Sequence, residues 1–224
     1  MGEFVQVSEV EEGVVSVVLD RPQKKNALSI ALRDEMSDAL DQVASDDAVR
    51  AVILAAEGDT FCAGFDLSEF SMTEPGFQER LWRSSDRFHR TVLLFPLPII
   101  AAVQGAALAG GFDLAVMCDI RVATANASFG HPEQRWSDVV FTPLAELVGS
   151  GPARDLCLTG RTIDAATALR IGLVSSVVEI DELAAEARLT AAMVARGPRD
   201  ALMRTKAKAL RRAGHRPDAT TLEL

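Results

Sequence analysis

The sequence predicts an α/β fold. Short β-branched runs alternate with stretches whose apolar residues recur at three- and four-residue spacing, the pattern of strands laid beside helices. Two turns rich in small residues, "FCAGFDL" and "GAALAGGFDL", each follow an apolar, strand-like run, and the last part of the chain reads as mostly helical.

The elements follow in order. Phe4 to Val10 and Val14 to Asp20 are β-branched runs separated by Glu11, Glu12 and Gly13, which predicts a hairpin. Arg21 and Pro22 end its second strand. From Ser29 to about Ser45, Leu32, Met36, Leu40 and Val43 fall on one helical face. "AVILAAEG" gives a short buried strand closed by Gly58. A helix is predicted around Phe77 to Leu94, then the strand "IIAAVQG", a helix opening at Gly110 and Gly111, and two short strands at "IRVAT" and "ASFG". Helices are expected over Pro143–Val148, Ala153–Thr159, Ala165–Ile171, Asp181–Arg196 and Arg199–Ala213, with Gly197-Pro198 and Gly214 as stops. No linker-like shift in composition appears before about residue 180. Residues 1–180 are therefore read as an α/β core and 181–224 as a helical region packing outside it or carrying oligomer contacts.

With 224 residues and 48% hydrophobic content, the chain is long enough to bury a core without staples. Cys62, Cys118 and Cys157 lie far apart with no CxxC, which suits buried free thiols in a reducing compartment, so a cytoplasmic protein is expected. "MGEFVQ" has no basic n-region, no apolar h-region and no Ser or Thr at position 6, so neither export nor myristoylation is expected from it. The uncharged run from Thr91 to Phe112 is long enough to span a bilayer, but Pro96, Pro98, Gln104 and Gly105 divide it. A buried turn, strand and helix start is the expectation there. A net charge of −9 argues against a general nucleic-acid binder, which needs a basic footprint to release counterions. Two local basic clusters remain: "RPQKK" at 21–25, and "RTKAKALRR" at 204–212, read as a solvated helix face.

Generic catalytic motifs are absent. There is no GxxxxGK[ST] and no GxSxG, and His89, His131 and His215 stand isolated without HExxH or His/Cys spacing, so no metal site is expected. The two small-residue turns remain. Glycine lets a ligand approach the backbone closely, and free N–H groups at a helix start favour developing negative charge. Two such groups aimed at one point make an oxyanion hole. Either turn alone would be an ordinary strand-to-helix connection.

"RPQKKNAL", "FCAGFDL", "VQGAALAGGFDLAVMCDIRVATANASFGHPE" and "LCLTGRTIDAATALRIGLVSSVVE" together, in this order, resemble the successive signatures of the enoyl-CoA hydratase/isomerase, or crotonase, family over roughly residues 5 to 210. The resemblance implies a spiral of ββα units, an acyl-CoA thioester as substrate, no cofactor beyond the coenzyme A of that substrate, no nucleic-acid or membrane partner, and a homotrimer or pair of trimers. It places oxyanion-hole N–H groups at Phe65 and Gly110, and catalytic carboxylates at Asp113 and Glu133. Ala63 and Ala109 would border the substrate, and Lys24 and Lys25 would contact coenzyme A phosphates. Exposed loop lysines would be an equally ordinary reading of that pair. His131 is expected to fix its loop, and Asp66, Asp119, the cysteines, the methionines and Trp82 to be structural.

The carboxylate pair suits the chemistry. Adding water across a C2=C3 bond conjugated to a thioester puts charge on the carbonyl oxygen, activates water at C3 and delivers a proton to C2. Four departures from the family pattern stand out. Asp113 replaces the usual Glu, one methylene longer, and Ala109 replaces the first residue of a glycine triplet. "QRWSDVVFTPLAEL" replaces a glycine-rich segment, which puts Arg135, Trp136 and Phe141 near the pocket. Residues 181–224 are also shorter than the family's usual C-terminal helices. A Δ3-Δ2 or dienoyl isomerase and a non-catalytic acyl-CoA-binding subunit are the alternatives; the dienoyl type would want a further acid shortly after Glu133, where Asp138 is nearby but Phe141 occupies the position to check, which lowers that option.

Overall fold

The computed structural model describes residues 2–216 and 218–224. Its main sheet has six strands in the order β1-β2-β3-β4-β6-β9: Val5–Val7, Val14–Leu19, Ala51–Ala56, Ile99–Val103, Ile120–Thr124 and Ser176–Val178. β1 pairs antiparallel with β2, as the predicted hairpin requires, and every other neighbour is parallel. A second sheet joins β5 (Ala106–Leu108), β7 (Ser128–Gly130) and β8 (Ile163–Asp164).

Helices cover both faces of the main sheet, and the strand side chains sort by parity, as a period of two demands. Val15, Val17, Leu19, Val52, Leu54, Ile99, Ala101 and Val103 join the large core shared with α1 (Ile30–Ala44) and α3 (Phe77–Leu93). Val14, Ile53, Ile100 and Ala102 face α8 (Leu183–Ala195), which presents Leu183, Ala187, Ala191 and Ala195 at four-residue spacing. A stripe of alanines lets this helix lie close on the sheet.

Most predicted elements form where the pattern put them. Ser29 caps α1, its hydroxyl accepting from the Leu32 amide at 3.3 Å. The uncharged run 91–112 is the end of α3, then β4, β5 and the start of α4 (Gly110–Met117), and no helix among the described residues is long and apolar enough to cross a membrane. The helical segments α5 (Thr142–Val148), α6 (Ser150–Thr159) and α7 (Ala165–Arg170) follow. α9 (Arg199–Ala213) lies outside the sheet and ties itself back to the core: Arg199 donates to the Ala44 and Val49 carbonyls at 2.7 and 3.1 Å. One expectation needs correction here. Lys206 of the basic run is buried, its Nζ 2.7 Å from Asp119 Oδ2 and 3.0 Å from the Leu97 carbonyl. An acceptor pair just before β4 and β6 draws this one lysine inward while its neighbours stay in solvent.

Candidate active site

Two backbone turns form the floor of the site. The first follows β3. Asn26, fully buried, ties its loops together: its Nδ2 donates to the Glu57 and Thr60 carbonyls at 2.9 and 2.8 Å, and its Oδ1 accepts from the Arg21 amide. The Ala63 amide donates to the Lys25 carbonyl and the Leu28 amide to the Gly64 carbonyl. The second turn, between β5 and α4, is stitched to the first through Cys62, whose amide donates to the Ala106 carbonyl and whose carbonyl accepts from Leu108, both at 3.0 Å. The Ala109 amide then donates to the Gly130 carbonyl at 2.9 Å.

The turns touch so closely that two positions admit only glycine. Gly64 has φ +95°, and a Cβ there would lie 2.7 Å from Ala109 Cβ and 3.1 Å from the Gly110 nitrogen. A Cβ on Gly111 would sit 2.1 Å from the Cys62 carbonyl oxygen. The chain thereby brings the Phe65 and Gly110 amides to the wall of one cavity, and neither donates a hydrogen bond to any acceptor among the described residues. Ala109 sits between them at φ 53°, ψ −131°, backbone space that L-residues avoid.

The cavity measures about 550 Å³. Ala63, Phe65, Ala109, Gly110, Asp113 and Glu133 all line it, with an apolar wall of Leu67, Phe70, Trp82, Val139, Val140 and Leu222. Trp136 overhangs it while 67% exposed. Arg135 and Phe141, expected nearby, do not line it: Arg135 is exposed, and Phe141 packs toward the core. Trp136 through Val140 line it instead, Asp138 among them. Trp82, read from sequence as packing, is a lining residue, edge-on to Phe70. Lys24 and Lys25 stand exposed outside the cavity, on the turn whose Lys25 carbonyl holds Ala63.

Parallel pairing of β5 with β7, Leu108 opposite Gly130, brings the start of α4 beside the loop after β7. That juxtaposition assembles the carboxylates with two histidines. His131, fully buried, donates from Nδ1 to Glu133 Oε1 at 3.0 Å, and the same nitrogen lies 3.7 Å from Asp113 Oδ1. On the far side, His89 Nε2 lies 3.9 Å from Asp113 Oδ2. His89 Nδ1 donates to the Ser85 carbonyl at 2.9 Å, which turns Nε2 toward the carboxylate. The Asp113 side chain is only 7% exposed, and no donor among the described residues hydrogen-bonds it. Burial by itself disfavours the His131 imidazolium, yet the Cys157 thiol, Glu133 and Asp113 outweigh burial and raise its pKa to about 10. Cys62, by contrast, is pushed up to about 12 by burial, which makes it a packing thiol.

The supporting residues include some that no motif announced. Phe65 stacks on His89 with ring centroids 6.1 Å apart and planes at 11°, and the Arg33 guanidinium lies 4.6 Å over its ring. Arg33 is fully buried, donates to the Leu28 carbonyl at 2.7 Å, and is lowered to about 10 by burial, which Glu69 and Asp34 oppose. Thr221 closes the wall from far along the chain: its amide donates to Asp86 Oδ1 at 2.8 Å, and its hydroxyl lies 2.9 Å from Ser85 Oγ. The signal for His89 was its place on the apolar stripe of α3, among Leu81, Phe88 and Val92. Asp66 caps α2 (Leu67–Phe70) and pairs with Arg21 at 2.8 Å, and Asp119 accepts from the Ile99 amide.

Comparison with known proteins gives the family. Residues 9–224 match the sequence profile of the enoyl-CoA hydratase/isomerase family. A short-chain-enoyl-CoA hydratase of Clostridium acetobutylicum is 40% identical over 182 residues, 77% of this chain and 69% of that protein. A crotonyl-CoA hydratase of Syntrophomonas wolfei is 35% identical over 196 residues, 84% of this chain and 74% of that protein. Among solved structures, an enoyl-CoA hydratase/isomerase from Xanthobacter autotrophicus superposes with a TM-score of 0.87 at 32% identity, over 96% of this chain and 82% of that one. A Mycobacterium smegmatis enoyl-CoA hydratase superposes at 0.86 with 33% identity, over 95% of this chain and 84% of that one. With a profile match across nearly its whole length and relatives at this identity, the chain belongs to the enoyl-CoA hydratase/isomerase family.

Proposed function

We propose that this protein hydrates 2-enoyl-CoA thioesters, adding water across C2=C3. The observation that carries the reading is the convergence, on one cavity, of two amides without acceptors, Phe65 and Gly110, and two carboxylates, Asp113 and Glu133. The thioester oxygen binds between the amides. Charge moving onto that oxygen as water attacks C3 is stabilised there, each donor being worth about 3 kcal/mol in a site of this kind. One carboxylate takes the proton of the attacking water and the other protonates C2, so acid and base act on one edge of the substrate. Asp113, though one methylene shorter than Glu, still lines the cavity. The relatives named as hydratases support the same activity.

Coenzyme A enters as part of the substrate, and the reading needs no separate cofactor. The apolar wall formed by Leu67, Phe70, Trp82 and Leu222 suits an acyl chain. Three buried free thiols support a reducing, cytoplasmic setting.

The test is loss of conjugated enoyl absorbance with crotonyl-CoA and a medium-chain 2-enoyl-CoA. Activity should fall by about 10²-fold or more in both Glu133→Gln and Asp113→Asn. A wild type silent on every 2-enoyl substrate but active on a 3-enoyl-CoA would replace hydration with double-bond isomerisation.

A further inference from the structure

A pair of carboxylates that does acid and base work must be reset after each turnover: the base ends protonated and the acid ends bare. One buried group is placed to reset them. His131 Nδ1 lies 3.0 Å from Glu133 Oε1 and 3.7 Å from Asp113 Oδ1, so one nitrogen stands between the two carboxyl groups. The ring is fully buried and is not among the residues that line the cavity.

We propose that His131 is a proton relay joining Asp113 to Glu133, resting on the hydratase reading above. At rest the ring is an imidazolium and both carboxyl groups are anionic. Glu133 is the acid because it is the carboxylate hydrogen-bonded to Nδ1. The Nδ1 proton moves to Glu133, whose carboxyl protonates C2. Asp113 takes a proton from the attacking water as its oxygen bonds to C3. The Asp113 proton then passes to the vacated Nδ1, the longer gap closing by about 0.7 Å as the ring rocks toward hydrogen-bond distance. One water O–H bond has broken, one C3–O and one C2–H bond have formed, and the enzyme returns to its starting charge without drawing a proton from solvent.

The surroundings fit a ring that stays charged between turnovers. The titratable groups facing it are Glu133 on its own loop, Asp113 on α4 and Cys157 on α6, with the Phe112 ring 4.7 Å away. The two carboxylates favour the cation, and the raised pKa agrees. Nε2 has no hydrogen-bond partner among the described residues, which leaves Nδ1 as the face where protons move. His131 acts through the carboxylates and is a positioning residue for their protons.

His131→Gln decides the matter. Its amide N–H can still hold Glu133, but it carries no transferable proton. On a 2-enoyl-CoA the variant should lose about 10²-fold in kcat while KM stays within a few-fold. Its acid must then be loaded from solvent, so kcat/KM should fall steadily above neutral pH, where the wild type holds level toward pH 10. Activity within threefold of wild type, or a loss equal at every pH, overturns the relay and leaves hydration standing. A wild type that does not hydrate 2-enoyl-CoA defeats the hydratase reading and the relay with it. Should the variant not fold, ring ¹⁵N shifts of the wild type decide. An imidazolium at pH 8 in the free enzyme is expected, and a neutral ring there overturns the proposal.

Discussion

Ala109→Gly should stabilise this protein. Ala109 holds φ 53° and ψ −131°, and its peptide is fixed there from both ends: its amide donates to Gly130, and its carbonyl accepts from Phe112 and Asp113 at 2.8 and 3.0 Å. An L-residue in such a region costs about 1–3 kcal/mol. Glycine removes that strain but adds about 0.5–1 kcal/mol of unfolded-chain entropy. The half-buried methyl forfeits about 0.5 kcal/mol of burial when deleted. The balance is a gain of about 1 kcal/mol, which for a chain of this length raises Tm by about 2–4 °C. Differential scanning calorimetry of the purified pair reads this directly. A Tm lowered by 2 °C or more would mean that methyl packing against Gly64 outweighs backbone strain, and the reasoning would be wrong.

Two further predictions concern buried charge. Lys206→Met removes the amine that Asp119 and the Leu97 carbonyl share; Asp119 keeps its bond from the Ile99 amide and some solvent. A loss of about 2–3 kcal/mol is expected, seen as a lower urea midpoint at unchanged m-value. His131 gives a pH dependence. Its folded pKa lies above the ordinary value of 6.5, so the folded state binds the proton more tightly. Its contribution is complete below about pH 6.5 and is lost as pH rises through about 10. Urea midpoints should fall by the equivalent of a few kcal/mol at most between those limits in wild type, and much less in His131→Gln; equal slopes in the two proteins would contradict the assignment.

Long periodic elements were legible in the sequence, and several of the shortest were not. Leu32, Met36, Leu40 and Val43 mark α1 over four turns, and the β-branched alternation of Val14–Leu19 separates the two sheet faces. β5, β8 and β9 have three, two and three residues, too few to show a period. β5 is also two-thirds alanine, a weak strand former, yet its pairing with β7 brings Asp113 toward Glu133. Periodicity alone would have left those carboxylates as a helix first-turn residue and a loop residue. The resemblance linked them. Neither route reached the histidines' partners, because His89 meets Asp113, and Ser85 meets Thr221, only through tertiary packing between distant segments. Lys206 was hidden by its neighbours, since a run of charges gives no sign of which member turns inward.

The two turns under the cavity are joined by main-chain hydrogen bonds at Cys62, Leu108 and Ala109 and by close contacts at glycine. Their relative position therefore depends little on which side chains surround them. Trp136, Leu67 and Leu222 can vary without moving the Phe65 and Gly110 amides, so under the proposed reading acyl preference can drift under selection while the carbonyl-binding geometry is inherited intact. Substitution would then be tolerated freely around the rim and hardly at all at Gly64 and Gly111.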